Sequence, residues 1–379
     1  MTPVPGALAI EGAARDYAWG SRTAIQRLLG RPEDGRPLAE LWFGAHPDAP
    51  SDIPSLDTTL DTLIAADPER ILGELVHAQF GPRLPFLLKV LAADRALSIQ
   101  VHPNRAQAAA GFAAEDAAGL PRDAAERNYR DPNHKPELLC ALTPFEALCG
   151  FRPVAETIAV LDSLALPGLE FLVRRLRGPD PLRAAVSELL ELDDPAALVA
   201  ELATRASPEG SLRPVWLALQ DFPGDVGVLF ALLLNYVRLQ PGEAIYLGAG
   251  NVHCYLRGMG VEIMANSDNV LRCGLTPKHV DVPELLKITD FTELAQPRWP
   301  ATERGFAVPV RDFRLAPWDL DGELALTDPG PRIVLCTDGE VEVGNVSITA
   351  GRAAFVPAAE SSALVRGHGR IFVATVGAL

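Results

Sequence analysis

The sequence has no apolar run of the roughly 18 to 20 residues that a membrane-spanning helix needs. Its longest, "VGVLFALLLNYVRL" at 226–239, is too short and reads as a buried helix. The N-terminal "MTPVPGALAIEGAARDYAWG" lacks a basic start followed by an apolar core, so no secretory leader is expected and the expected location is the cytoplasm. Cysteine is scarce: five residues, an odd count, widely spaced and without CxxC. That excludes a closed disulfide framework and a cysteine-based zinc knuckle, and leaves the five thiols as small buried hydrophobes. Positive charge is also short, with 34 Lys+Arg against 49 Asp+Glu and a net charge of −15. Nucleic acid and anionic membrane are excluded as partners. An anionic metabolite would be repelled at long range, so such a substrate has to be met by a local cluster of basic groups.

With 48% hydrophobic and 22% charged residues over 379 positions, the chain has the balance of a globular protein of two or three domains. "TTLDTLIAADPERILGEL" is helical in pattern, whereas "LPFLLKVLAA" and "ALSIQVHP" read as strands. From about 154 to 237, Leu, Ala and Glu recur at helical spacing with Pro at the breaks, which predicts a helical insertion. After Gln240 short strands return, and towards the C-terminus turns recur roughly every eight residues, the rhythm of a barrel or jelly roll. The expected class is mainly β with a helical insertion: a β-barrel interrupted by helices, then a smaller β-barrel. The boundaries fall at 1–153, 154–239, 240–299 and 300–379.

Four segments share one feature. In "LSIQVHPN", Leu97, Ile99 and Val101 alternate with Ser98, Gln100 and His102, so one strand face is apolar and the other carries a hydroxyl, an amide and an imidazole. In "NVHCYLRG", His253, Tyr255 and Arg257 oppose Val252, Cys254 and Leu256. In "GVEIMAN", Glu262 and Met264 oppose Val261 and Ile263, and in "NHKPELLCAL" Lys135 and Glu137 fall on one side. Gln100 and His102 lie roughly 7 Å apart along the backbone and can converge on one ion. Metal–ligand distances near 2.0–2.2 Å then require donors from other strands, and Glu137 and His253 are the natural suppliers. Such a mixed nitrogen and oxygen set suits zinc without being exclusive to it. His46, His77 and His368, each alone in its segment, read as core or surface residues.

"AIYLGAGNV" imitates the start of a dinucleotide-binding GxGxxG, but His253 stands where the third glycine belongs and β-alternation follows in place of a helix. Gly248 and Gly250 read as a hairpin turn.

These motifs resemble the type I phosphomannose isomerases, zinc enzymes that interconvert mannose 6-phosphate and fructose 6-phosphate. The similar stretches are "YAWGS" at 17–21, "SIQVHPN", "NHKPELLCALTPFEALCGFRP" and "GVEIMANSDNVLRCGLTPKHVDVPELL", in the family's order across residues 17 to 286. Residues 300–379 match only in general style. The resemblance implies two cupin-like (jelly-roll) β-barrels with an α-helical domain inserted into the catalytic one, one zinc ion per chain, and a sugar phosphate as substrate. It places the metal ligands on Gln100, His102, Glu137 and His253, and active-site roles on Arg272, Lys135, Glu262, Asp268, Ser98 and Tyr255. Lys278, in "TPKHV", falls at a basic position suited to phosphate, and Trp19 is read as a core aromatic or as a wall of the pocket. A monomer is the expected state.

Aldose–ketose isomerisation moves a proton between C1 and C2 through an enediol. It needs an electrophile for the developing oxyanion, a base, and a proton shuttle between O1 and O2. Zinc would act as a Lewis acid and Arg272, permanently charged, as a second electrophile. The candidate bases, in order, are Lys135, Glu262 and His134; Lys135 becomes a base if desolvated beside zinc and Arg272. Asp268 is expected to orient Arg272 or another cation. Two other readings remain: a different metal-dependent cupin enzyme, and a non-catalytic sugar-phosphate sensor. The first calls for a 2-His-1-carboxylate pattern in place of the glutamine-containing set, and the second for loss of Arg272 or a ligand. Neither departure is present.

Overall fold

The strand Phe86–Ala93, all eight residues buried, frames the larger of two main sheets in the computed structural model, which describes residues 6–378. Burial on both faces explains its near-continuous apolar sequence. It runs antiparallel between Glu40–Phe43 and the thirteen-residue strand His253–Ala265. The two strands predicted at "NVHCYLRG" and "GVEIMANS" are this one strand. Its first part pairs with Phe145–Phe151 and, through His253 and Gln100, with Ile99–Val101. Its second part pairs with Phe86–Ala93 and Glu137–Ala141. The eleven-stranded sheet thus parts into two leaves that share one strand. The register shifts between Tyr255 and Arg257, next to Gly258 at φ +124°, where a Cβ would lie 2.7 Å from Pro144 O.

The helical insertion leaves Phe145–Phe151 and returns at Leu234–Leu239, which pairs antiparallel with it. Pro181 and Pro195 open two of its helices, and the Asp194 carboxylate accepts the Ala196 N–H of the second. Leu172, Leu189, Leu202 and Val215 pack in one core with Leu148 and Phe151 of the sheet. The run at 226–239, expected as one buried helix, is helical only over Gly227–Phe230. Its second half is the returning strand. A wholly apolar run carries no period that separates helix from strand, and edge pairing decides. Residues 58–75 likewise give three short helices, Leu60–Ala66, Pro68–Leu72 and Glu74–Phe80. Asp67 before Pro68 and Gly73 at φ +86° break the pattern. Gly248 and Gly250 do form a turn, with Asn251 N–H donating to Gly248 O at 3.2 Å. It is no hairpin, because Glu137–Ala141 lies between the strands it joins.

The smaller, six-stranded sheet is built from residues 314–375 and the strand Leu8–Ile10, which pairs with Ala353–Val356. The strand Leu8–Ile10 therefore joins this sheet, whereas the boundary 1–153 grouped it with the larger one. Its strands are longer than the turn rhythm suggested: Arg314–Leu326 pairs along its whole length with Ala363–Thr375. Gly339, Gly367 and Gly369 lie inside strands, where a Cβ would come within 2.2, 2.5 and 2.1 Å of neighbouring carbonyl oxygens. All five cysteines are free and buried. Among the described residues no helix is long and apolar enough to cross a membrane. Residues 1–5, on which the leader reading partly rests, lie outside the described residues.

Candidate active site

His102, Glu137 and His253 come together where the two leaves part, close enough to hold one metal ion. His102 is wholly buried, and its Nδ1 donates to Asn269 O at 2.8 Å. His253 Nδ1 donates to Asn251 O at 3.0 Å. Each ring therefore turns its Nε2 towards Glu137, the orientation that a backbone carbonyl on Nδ1 gives a metal-ligating histidine. Those nitrogens lie 3.3 and 3.4 Å from the two oxygens of Glu137, and His102 Nε2 has no hydrogen-bond partner. Lone pairs facing a carboxylate in a buried site repel unless a cation sits among them. Burial pushes His102 down to about 4, so it is neutral at pH 7. Burial alone would raise Glu137, but Lys135, with Nζ 3.1 Å away, holds it well below the usual carboxylate range. Gln100 is the register partner of both His253 and Arg272. Its Nε2 donates to Ser98 Oγ at 3.1 Å, which leaves the amide oxygen for a metal. Two imidazoles, a carboxylate and an amide oxygen fit zinc.

This set opens into a cavity of about 980 Å³. Three of the four lysines in the sequence, Lys89, Lys135 and Lys278, line it. Behind the metal set, Lys89 Nζ lies 3.4 Å from Glu40 and 3.3 Å from Glu262, all three buried, and sits over the Trp42 ring. Tyr255 donates to Glu262 Oε1 at 2.7 Å. Burial raises the Glu262 pKa, Lys89 opposes it, and the Glu137 and Glu40 charges add to it. At another part of the cavity Arg130, Arg272 and Lys278 cluster. Burial, then Arg272 and Arg130, push Lys278 down, and burial, then Arg130, push Arg272 down. None of the three has a carboxylate within ion-pair distance among the described residues. A concentrated positive field without a counter-charge, in a protein at −15, accepts an anion.

Asn269 ties the site together. Its amide, fully buried, accepts from Arg130 N–H and Asp131 N–H and donates to Asp131 O and Asn133 O. It thereby uses all four of its hydrogen bonds on the segment leading to Lys135 and Glu137. Its own carbonyl fixes the His102 ring.

The cavity brings together Trp19, Ser98, Gln100, Lys135, Glu137, His253, Tyr255, Glu262, Asp268, Arg272 and Lys278. His134 is not among them. Its Nε2 lies 2.9 Å from Asp312 Oδ2, just before the smaller sheet's first long strand, and 2.8 Å from Arg105, so the structure does not offer it as a base. Asp268 pairs with His46 Nε2 at 3.2 Å, not with Arg272. The His46 Nδ1 accepts Asp48 N–H, so its proton points at Asp268 and holds that carboxylate below its usual range against burial. Sequence reasoning missed Lys89, Glu40, Arg130, Asn269 and the partnership of His46. Only Lys89 had a signal: a lone lysine inside the apolar run "FLLKVLAA" needs buried counter-charges.

Fold and site define a mainly β protein with a mixed nitrogen and oxygen metal centre beside an anion-accepting pocket. Residues 8–154 match the family described as phosphomannose isomerase type I, catalytic domain. The chain is 40% identical over 380 residues to the mannose-6-phosphate isomerase of Escherichia coli (strain K12), across 95% of this chain and 97% of the relative. To that of Rattus norvegicus it is 32% identical over 415 residues, across 94% and 95%. A crystal structure of mannose 6-phosphate isomerase from Salmonella typhimurium bound to fructose 6-phosphate and zinc superposes with a TM-score of 0.92 at 36% identity, covering 99% of this chain and 100% of that one. The chain belongs to the type I phosphomannose isomerase family.

Proposed function

We propose that the chain is a zinc-dependent isomerase that interconverts mannose 6-phosphate and fructose 6-phosphate through an enediol. The observation that carries this reading is the placement of the donor set and the unpaired cations Arg130, Arg272 and Lys278 in one cavity. A related structure with fructose 6-phosphate and zinc bound supports it. The two sheets are read as cupin-like jelly-roll barrels: a catalytic one interrupted by helices from 154 to 230, and a C-terminal one that takes in the strand Leu8–Ile10. A cytoplasmic monomer acting on a free sugar phosphate goes with this reading.

Gln100, His102, Glu137 and His253 would hold one zinc ion, which when bound supplies a Lewis acid for a substrate oxygen. Lys278 and Arg130 grip the phosphate. Arg272, beside Gln100 in register, stabilises the negative charge that develops on the sugar oxygen. Glu262, its pKa raised by burial, takes the proton from C2 and returns it to C1. The Tyr255 hydroxyl and Lys89 keep its carboxylate in place. Lys135 faces the O1 and O2 end and passes the hydroxyl proton between them. Asp268, steadied by His46, orients the sugar, Ser98 fixes the Gln100 amide, and Trp19 walls off water. Incubation with mannose 6-phosphate in heavy water tests the scheme. Fructose 6-phosphate is the expected product, with deuterium at C1 in the fraction where the proton on Glu262 exchanges with solvent between the two transfers, and no turnover overturns the assignment.

A further inference from the structure

The helical insertion meets the loop at the basic end of the cavity through one carboxylate. Asp225, just before the helix Gly227–Phe230, accepts three backbone N–H groups: Gly227 and Leu275 on Oδ1, each at 2.7 Å, and Thr276 on Oδ2 at 3.2 Å. Leu275 has φ +52°, a left-handed conformation that a branched side chain adopts at a cost, and it is buried. Such strain persists only where the surroundings over-determine it. Here two consecutive N–H groups are fixed by one carboxylate on the far side of the chain. The approach is close: a Cβ on Gly227 would lie 2.5 Å from Leu275 N, and one on Gly274 2.6 Å from Gly227 Cα. The strained turn directly follows the strand Leu271–Gly274, which carries Arg272, and the next four residues, Thr276 to His279, all line the cavity.

We infer that Asp225 is a positioning residue for phosphate recognition: by holding Leu275 left-handed, it aims the loop that presents Lys278 so that Lys278 and Arg130 meet on one anion. The inference rests on the reading of that basic cluster as the phosphate site. The insertion is then part of the substrate site, although it supplies none of the metal donors. Without the carboxylate, Leu275 relaxes towards negative φ, the loop direction changes, and Lys278 no longer converges with Arg130 on one anion.

The test uses the full-length zinc-loaded protein, titrated with inorganic phosphate by calorimetry and assayed with mannose 6-phosphate. Asp225→Ala should weaken phosphate binding and raise KM about tenfold, the loss expected of hydrogen bonds to a charged acceptor, with kcat and zinc content near wild type. Leu275→Gly in the Asp225→Ala background should recover most of that loss, because glycine adopts positive φ without help. A purely structural role gives no such rescue. Asp225→Asn, which keeps one acceptor oxygen, should fall between and serves if the alanine variant does not fold. Lys278→Ala separates the two claims. If it weakens phosphate binding while Asp225→Ala and Asp225→Asn do not, the inference is overturned and the phosphate site stands. If Lys278→Ala leaves phosphate binding unchanged, the phosphate reading falls and takes the inference with it.

Discussion

His134 and Asp312 meet across the boundary between the two sheets, with imidazole Nε2 2.9 Å from carboxylate Oδ2. The same carboxylate lies 3.1 Å from Arg105 Nη2. Asp312 therefore fastens the smaller sheet to both segments that lead from the metal donors: His102 to Arg105, and His134 to Glu137. Loss of the carboxylate in Asp312→Ala should destabilise the protein by about 1–3 kcal/mol, the range for hydrogen bonds to a charged group, as read by urea unfolding. The Asp312 pKa is lowered: burial raises it, but His134 and Arg105 outweigh burial. A depressed carboxylate contributes stability above its unfolded pKa and loses it as pH falls through the folded value. The destabilisation in Asp312→Asn should thus be full at neutral pH and shrink below pH 3.8. A loss of stability that does not change with pH would contradict the pairing.

Lys89 is buried between two buried carboxylates, Glu40 and Glu262. Burial alone would lower its pKa, and the two carboxylates reverse that and raise it. Lys89→Met should cost about 3–5 kcal/mol, because it strands uncompensated buried charge. Adding Glu40→Gln should recover part of that loss, since it removes one of the stranded charges. Unfolding curves on the single and double variants measure this, and additive losses would rule out the coupling.

His253→Ala and Glu137→Ala should abolish zinc retention, whereas His77→Ala should leave about one zinc per chain. His77 sits on the helix Glu74–Phe80 with Glu69 as its neighbour, away from the cavity. Elemental analysis after gel filtration gives the comparison. Equal metal content in all three would remove the ligand assignment.

Much of this site was readable as alternation. Gln100, His102 and His253 share strand faces with polar neighbours, and each face proved to be the one turned to the metal or the cavity. What alternation could not show is how side chains and backbone groups meet from different segments. Asn269 acts through hydrogen bonds to residues 130–133, and His46 through a carboxylate that lies 222 positions later in the sequence. The fold was legible where pattern and pairing agreed, as in Phe86–Ala93. It was not legible where an apolar run served two structures, as at 226–239, or where the spacing of turns towards the C-terminus suggested shorter strands than Arg314–Leu326.

Arg272→Lys should retain zinc yet lose kcat by about a hundredfold or more, by analogy with loss of an oxyanion donor. A guanidinium offers a planar fork that an ammonium does not copy, and Arg272 stands next to Gln100 in register. Steady-state kinetics on the zinc-loaded variant decide. A rise in KM with kcat unchanged would move Arg272 to the phosphate grip alongside Lys278.

The central claim is that the set Gln100, His102, Glu137 and His253 serves isomerisation by holding zinc. The most direct measurement is a coupled assay of fructose 6-phosphate formation from mannose 6-phosphate, run on the protein as purified, after exhaustive chelation, and after zinc is restored. The account predicts activity in the first and third samples and its loss in the second. Full activity in protein shown to be free of metal would contradict it.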